Sequence, residues 1–170
     1  SGVINVPGSA MGLAIITVIG RCIGAGDTHQ AVHYTKLLVG CSYLSMLIMG
    51  SALFFSADFL VTLFNLSPEA MAMASQVLKF CAIANMLFWP MAFTLPNSLR
   101  AAGDAVFTMM VSLTTMFVCR VALSYVFACS WGFGLGLLGV WLAMFCDWIV
   151  RAVCFLWRYW CGSWKKIHVI

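Results

Sequence analysis

Asp147 and Arg151 stand four residues apart, carboxylate first, inside an apolar run from about Leu135 to Trp157. That spacing puts both on one helix face in the order that favours an intrahelical ion pair. Two chemistries are open to them: plain charge neutralisation, with Arg151 snorkelling toward the nearer membrane surface, or handling of an ion or proton across the bilayer. Arg120 lies in the preceding apolar run. At about 1.5 Å per residue it sits roughly two thirds of the way along that run, so a bridge to Asp147 on an adjacent antiparallel helix is geometrically open. Asn5, Asn85 and Asn97 are the other strong polar groups in apolar surroundings, with Thr94, Ser112, Thr114 and Thr115 behind them. Each would have to find a partner in hydrocarbon, so Asp147, Asn85, Asn97 and Asn5 are the candidates for an ion or substrate cavity.

Pro90 and Pro96 fall in one apolar run, followed by Asn97 and Ser98. Each removes a backbone donor and frees a carbonyl, so a kinked or partly broken helix is expected there. Pro7, followed by Gly8 and Gly12, admits the same reading, although the glycines could equally form a helix-packing face. Freed backbone groups can coordinate ions at transporter sites, but prolines are also common in passive membrane helices. Two short strings share a pattern: Gly24-Ala25-Gly26-Asp27 and Ala101-Ala102-Gly103-Asp104, the latter preceded by Arg100. The glycine permits a tight reversal and the aspartate can cap the next helix, so both read as turn plus cap.

Catalysis finds no footing. No Ser/His/Asp or Cys/His constellation occurs, and His29, His33 and His168 fall in loops or the tail. The eight cysteines, Cys22, Cys41, Cys81, Cys119, Cys129, Cys146, Cys154 and Cys161, include no CxxC pair and no zinc-like spacing, so no metal site is expected. Gly132 to Gly139 neither follow a strand nor lead into a GK[ST] string, which excludes a phosphate loop. Nor is any cofactor implied.

The elements that must position these residues follow from composition. Of 170 residues, 64% are hydrophobic and 8% charged, with a mean hydropathy of +1.02. So few charges cannot cover a water-soluble surface, and the partner this implies is the lipid bilayer. The net charge of +4 is spread singly rather than in a stripe, so nucleic acid is not expected. A bilayer core of about 30 Å needs about 20 apolar residues of helix. Five such spans can be laid out, at about 1–20, 37–57, 80–99, 105–129 and 135–157, giving an all-α integral membrane protein in a single helical domain over 1–170. Arg21 and Lys36, Arg100, and Arg158 with Lys165 and Lys166 fall on one side. Asp58, Glu69 and Lys79, assigned to the loop between the second and third spans, fall on the other with the uncharged turn at 130–136. The positive-inside rule then places the C-terminus in the cytoplasm and Ser1 outside. Trp131 and Phe133 at the outer turn, and Trp157, Tyr159, Trp160 and Trp164 at the inner end, fit interfacial belts. Ser1 in place of methionine, with a span already under way, reads as part of a longer chain; a signal peptide is disfavoured because Asn5 and Pro7 interrupt the run and no basic segment precedes it.

Three strings taken together carry a resemblance: Gly20-Arg21-Cys22-Ile23-Gly24-Ala25-Gly26-Asp27, Leu99-Arg100-Ala101-Ala102-Gly103-Asp104, and Gly139-Val140-Trp141-Leu142-Ala143-Met144 through Asp147-Trp148 to Arg151-Ala152. In order and spacing they resemble the second half of a multidrug and toxic compound extrusion (MATE) transporter. That family has twelve helices in two six-helix lobes, so the resemblance makes the five spans helices eight to twelve, an incomplete second lobe. It implies a multi-pass plasma (inner) membrane antiporter coupled to H+ or Na+, exporting organic, often cationic compounds by alternating access. Small organic substrates and the missing N-terminal lobe of the same chain are its implied partners. Gly24, Gly26, Asp27, Arg100, Gly103 and Asp104 become the cytoplasmic loop motifs. The pattern is departed from where one branch of the family carries a cation-coordinating aspartate about three turns before the Leu-Arg loop: here stand Trp89 and Pro90. Arg120 also replaces an expected neutral polar residue, and its fixed charge disfavours a cation nearby.

Two alternatives remain beside the antiporter. A lipid-linked oligosaccharide flippase of the same superfamily would line its cavity with several arginines, where only Arg120 is available. A non-transporting membrane scaffold or subunit would need no acid in a span, and Asp147 stands against it. Five helices alone cannot enclose a two-lobed cavity, so the isolated chain is expected to transport nothing.

Overall fold

The computed structural model describes residues 5–64, 67–128 and 136–166. Five helical rods run back and forth, each long and apolar enough to cross a membrane: Val6–Gly24, Thr28–Thr62, Pro68–Ala101, Ala105–Ala128 and Leu138–Cys161. The first is helix α1 (Val6–Gly24) and the second α2 (Thr28–Thr62). The third is composite: α3 (Pro68–Trp89), a π turn (Pro90–Thr94) and α4 (Leu95–Ala101). So is the fourth: α5 (Ala105–Thr115), a π turn (Met116–Ala122) and α6 (Leu123–Ala128). The fifth is α7 (Gly136–Cys161), followed by a short 3-10 turn (Ser163–Lys166).

The rods are longer than the apolar runs because a helix does not stop at the hydrocarbon boundary; it stops where its backbone is turned. Asp58 and Lys79, expected in a loop, are helical instead. Asp58 lies about one turn from the end of α2 and Lys79 midway along α3, and they pair through Lys79 Nζ to Asp58 Oδ2 at 2.9 Å, with Ser75 donating a hydrogen bond to Asp58 Oδ1. At about 1.5 Å per residue the 35 residues of α2 reach about 52 Å, more than any hydrocarbon core, so its ends project or the rod tilts. Lys36 likewise lies within α2, and Arg21 in the last turn of α1.

The reversals at the Arg21 and Arg100 ends are short. Gly26 (φ +76°) and Gly103 (φ +93°) take the left-handed backbone that closes each turn. Asp27 caps α2 as expected, accepting from Gln30 N–H at 3.0 Å. Asp104 does not cap α5. Its carboxylate is drawn away by Arg158 of α7, whose Nε approaches Oδ2 at 2.8 Å and whose guanidinium lies 4.6 Å from the Phe107 ring centroid.

Two apolar clusters hold the rods together. One joins Ile15 and Ile19 of α1, Val39 of α2, Leu95 and Leu99 of α4, and Phe155 of α7. The other joins Met46 of α2, Trp89 at the end of α3, Ala92 and Trp148. Gly8 lets α1 approach closely: a Cβ there would collide with Trp89 and Met46, and one at Gly12 would meet the Asn97 amide. Trp89 thus occupies, as a packing group, the place where an acid was sought. Trp157 and Trp160 are exposed as an interfacial belt requires, but Trp164 is buried, its ring stacked on Tyr159 at 5.5 Å. Trp131 and Phe133, the turn at 130–135, Cys129 and His168 lie outside the described residues, as do residues 1–4 of the first expected span.

Candidate functional site

Asp147 faces inward from the middle of α7 and is fully buried. The predicted pair exists: Arg151 Nε donates to Asp147 Oδ1 at 2.9 Å. It is one-sided, because Asp147 Oδ2 is buried with no hydrogen-bond partner among the described residues. A guanidinium commonly grips a carboxylate with two parallel bonds. Here the second is diverted. Arg151 Nη2 donates to the Ser112 carbonyl of α5 at 3.1 Å, and the guanidinium carbon lies 5.6 Å from the Phe93 ring centroid. Arg151 therefore does not snorkel; its side chain is 10% exposed and joins the third, fourth and fifth spans.

Both irregular segments adjoin this pair. Phe93 belongs to the first π turn, in which Leu95 N–H reaches back five residues to the Pro90 carbonyl. Neither Pro90 nor Pro96 can donate, and the wider turn absorbs that loss, so the rod runs on through a π turn where a kink or partial break was expected. Its polar contact is Thr94 Oγ1 with Ser42 Oγ of α2 at 3.1 Å. The second π turn carries Arg120. No proline or glycine marks it, so its sequence carries no local signal for an irregular turn. The expected Arg120 to Asp147 bridge is not made: Arg120 Nη2 lies 3.4 Å from Met144 Sδ, one helical turn before Asp147. Met144 is three residues away on α7, so a modest offset along the helix keeps the charges apart.

The asparagines do not join the cluster. Asn85 is buried in α3, where Nδ2 donates to the Cys81 carbonyl at 2.9 Å while Oδ1 has no partner among the described residues. Asn97 accepts from Arg100 Nη1 at 3.2 Å and packs against Gly12. Asn5 precedes α1 without capping it by its side chain. Pro7 breaks nothing: it stands in the first turn of α1, where its missing N–H has no intrahelical acceptor to lose. The loop-motif glycines and Asp27 are turn residues, while Asp104 is an ion-pair residue. All seven described cysteines are free thiols, and no group of three potential metal ligands occurs among the described residues.

Five apolar rods, two loops closed by glycine before aspartate, and a one-sided ion pair within the bundle are the arrangement to be compared with known proteins. A MatE family model matches residues 1–126. The chain belongs to the MatE family. It is 24% identical over 164 residues to the probable multidrug resistance protein NorM of Thermotoga maritima, covering 96% of this chain and 35% of that protein. It is 32% identical over 158 residues to the uncharacterized transporter YisQ of Bacillus subtilis, covering 90% and 33%. To the multidrug and toxin extrusion protein 1 of Oryctolagus cuniculus it is 26% identical over 146 residues, 86% of this chain and 25% of that one. The chain thus spans a quarter to about a third of the length of these relatives. No solved structure matches it. In a multi-pass MatE membrane protein, the pair and its flanking π turns lie within the spans.

Proposed function

We propose that this MatE chain forms helices eight to twelve of the second lobe of a cation-coupled multidrug antiporter. In this reading a preceding lobe completes the transporter in the plasma membrane, with the Gly26, Gly103 and C-terminal ends cytoplasmic. The observation that carries it is the buried carboxylate of Asp147, held by one oxygen between two π-distorted spans of a chain whose relatives are named for multidrug resistance and toxin extrusion. A buried acid with one oxygen unmet can change partners at low structural cost. Alternating access needs such a group, since proton or cation occupancy must favour one arrangement of the lobes over the other. Asn85, whose carbonyl oxygen is also unmet, and Asn97 and Asn5 are the secondary polar contributors. The exported compounds are small organic molecules, often cationic, and the coupling ion is H+ or Na+; no enzymatic step is involved.

The test is ethidium efflux by the full-length protein in a host lacking its own efflux pumps. Active efflux that falls at least tenfold in Asp147→Asn, with membrane levels unchanged, supports the reading. Imposing a proton gradient and a sodium gradient separately on proteoliposomes identifies the ion. Wild-type efflux by Asp147→Asn removes Asp147 from the coupling role.

A further inference from the structure

Arg151 is held at three points, and each contact is made within the chain. Nε donates to Asp147 Oδ1 at 2.9 Å and Nη2 to the Ser112 carbonyl at 3.1 Å, while the guanidinium carbon lies 5.6 Å from the Phe93 ring centroid. The last two holds are themselves fixed. Trp89 stacks on Phe93 at 5.1 Å, and Trp148, one turn before Arg151, meets the same ring edge-on at 6.0 Å. The Ser112 carbonyl stands where α5 passes into the second π turn, and it also accepts from Met116 N–H and, at 3.3 Å, from Thr115 Oγ1. A guanidinium drawn to that ring and bonded to that carbonyl cannot also turn its fork onto the carboxylate. Asp147 Oδ2 is therefore left unmet among the described residues, and the chain's own atoms enclose it. Cys119 of the second π turn lies within electrostatic reach of Asp147 and Arg151, as it does of Cys146 and Cys154 on α7, and Arg120 of that turn bonds to Met144.

We propose that Phe93 is a positioning residue: by holding the Arg151 guanidinium it keeps that side chain to one oxygen of Asp147 and leaves the other open to a proton or cation. The role deepens the coupling function proposed for Asp147 and rests on that reading for its purpose, though not for its geometry. Leucine at this position would supply no ring face, so the guanidinium would turn to grip both oxygens and close the site. Tyrosine would keep the ring. A lysine in place of Arg151 has a compact ammonium without a fork, so the side chain at position 93 would then cease to matter.

The test treats the full-length protein in phosphatidylcholine nanodiscs with dicyclohexylcarbodiimide, a small apolar reagent that modifies carboxyl groups within membranes. Peptide mass spectrometry reads the modification of Asp147, with Asp147→Asn as the blank. Phe93→Leu is expected to label about tenfold more slowly than the wild type, the effect of one added charge-assisted hydrogen bond on the carboxylate. Phe93→Tyr should label at the wild-type rate, and Phe93→Leu/Arg151→Lys should match Arg151→Lys alone. Unchanged thermal unfolding confirms that the Phe93 variants fold, and Phe93→Met takes the place of Phe93→Leu if the latter does not. Wild-type labelling in Phe93→Leu, equal slowing in Phe93→Tyr, or slowing that persists in the Arg151→Lys background overturns the proposal. If Asp147→Asn exports ethidium as the wild type does while these labelling differences hold, the coupling role falls and the positioning role stands.

Discussion

Replacing Arg151 with methionine should cost more stability than neutralising its partner, and the structure sets the size of the difference. Asp147 is fully buried, its Oδ1 held by Arg151 Nε at 2.9 Å and its Oδ2 unmet. Removing the guanidinium strands a buried carboxylate, a loss of about 3–5 kcal/mol. Asp147→Asn keeps an acceptor oxygen for Arg151 Nε, and Arg151 keeps its bond to the Ser112 carbonyl and its place near Phe93. That variant should cost about 1–2 kcal/mol. In Asp147→Leu/Arg151→Met both charges go and apolar bulk replaces them, so the double variant should be more stable than Arg151→Met alone. Equilibrium unfolding of the purified protein in mixed micelles with increasing SDS, followed by tryptophan fluorescence, measures all three. The reasoning is refuted if Arg151→Met costs less than about 1 kcal/mol, or if adding Asp147→Leu to it restores nothing.

Four further outcomes follow from the packing. Gly8→Val should cost about 1–3 kcal/mol through collision with Trp89 and Met46, and the same unfolding assay should show partial rescue by Trp89→Leu. Asp27→Ala, which removes a helix cap, should cost about 1 kcal/mol and speed hydrogen exchange only in the first turn of α2. Asp104→Ala, which breaks an interhelical ion pair, should instead speed exchange at both the start of α5 and the end of α7, and the swap Asp104→Arg/Arg158→Asp should reverse part of that. Asn85→Leu should change stability by less than about 1 kcal/mol, because the amide it removes leaves its own oxygen unmet; a loss of efflux in a variant that unfolds normally would mark Asn85 as functional.

Length and charge punctuation were enough to find every rod, because lipid demands an unbroken apolar helix and little else produces one. They misjudged the ends. Asp58 and Lys79 read as loop residues because they are charged, yet they satisfy one another across two helices, a long-range fact that no local window contains. The same limit explains Asp104, whose local role as a cap lost to an arginine 54 residues away. The Asp147–Arg151 pair was legible because its spacing is helical. Its third and fourth partners, the Ser112 carbonyl and the Phe93 ring, were not, since a backbone oxygen carries no sequence signal and an aromatic ring in a membrane span has many reasons to be there. Pro90 and Pro96 marked, through lost donors, a segment expected to kink or partly break, and it takes a π turn at Pro90–Thr94. The turn around Arg120 lacks any such residue, and nothing in the local chemistry of Met116–Ala122 explains it.

The fifth span is the one around which these irregularities gather. Phe93 from one π turn faces Arg151, and Arg120 from the other faces Met144, so α7 is the common neighbour of two segments whose hydrogen-bond register is already shifted. Single π turns inside α-helices recur at functional sites. The pair does little for stability that apolar side chains could not do as well, since its net worth against well-packed substitutes is near zero. A role in switching and a role in folding are therefore distinguishable for this pair. The separation is experimental: if Asp147→Leu/Arg151→Met unfolds as the wild type does yet fails to export, the pair serves the conformational cycle, and if it exports normally the pair is a structural tie between three spans.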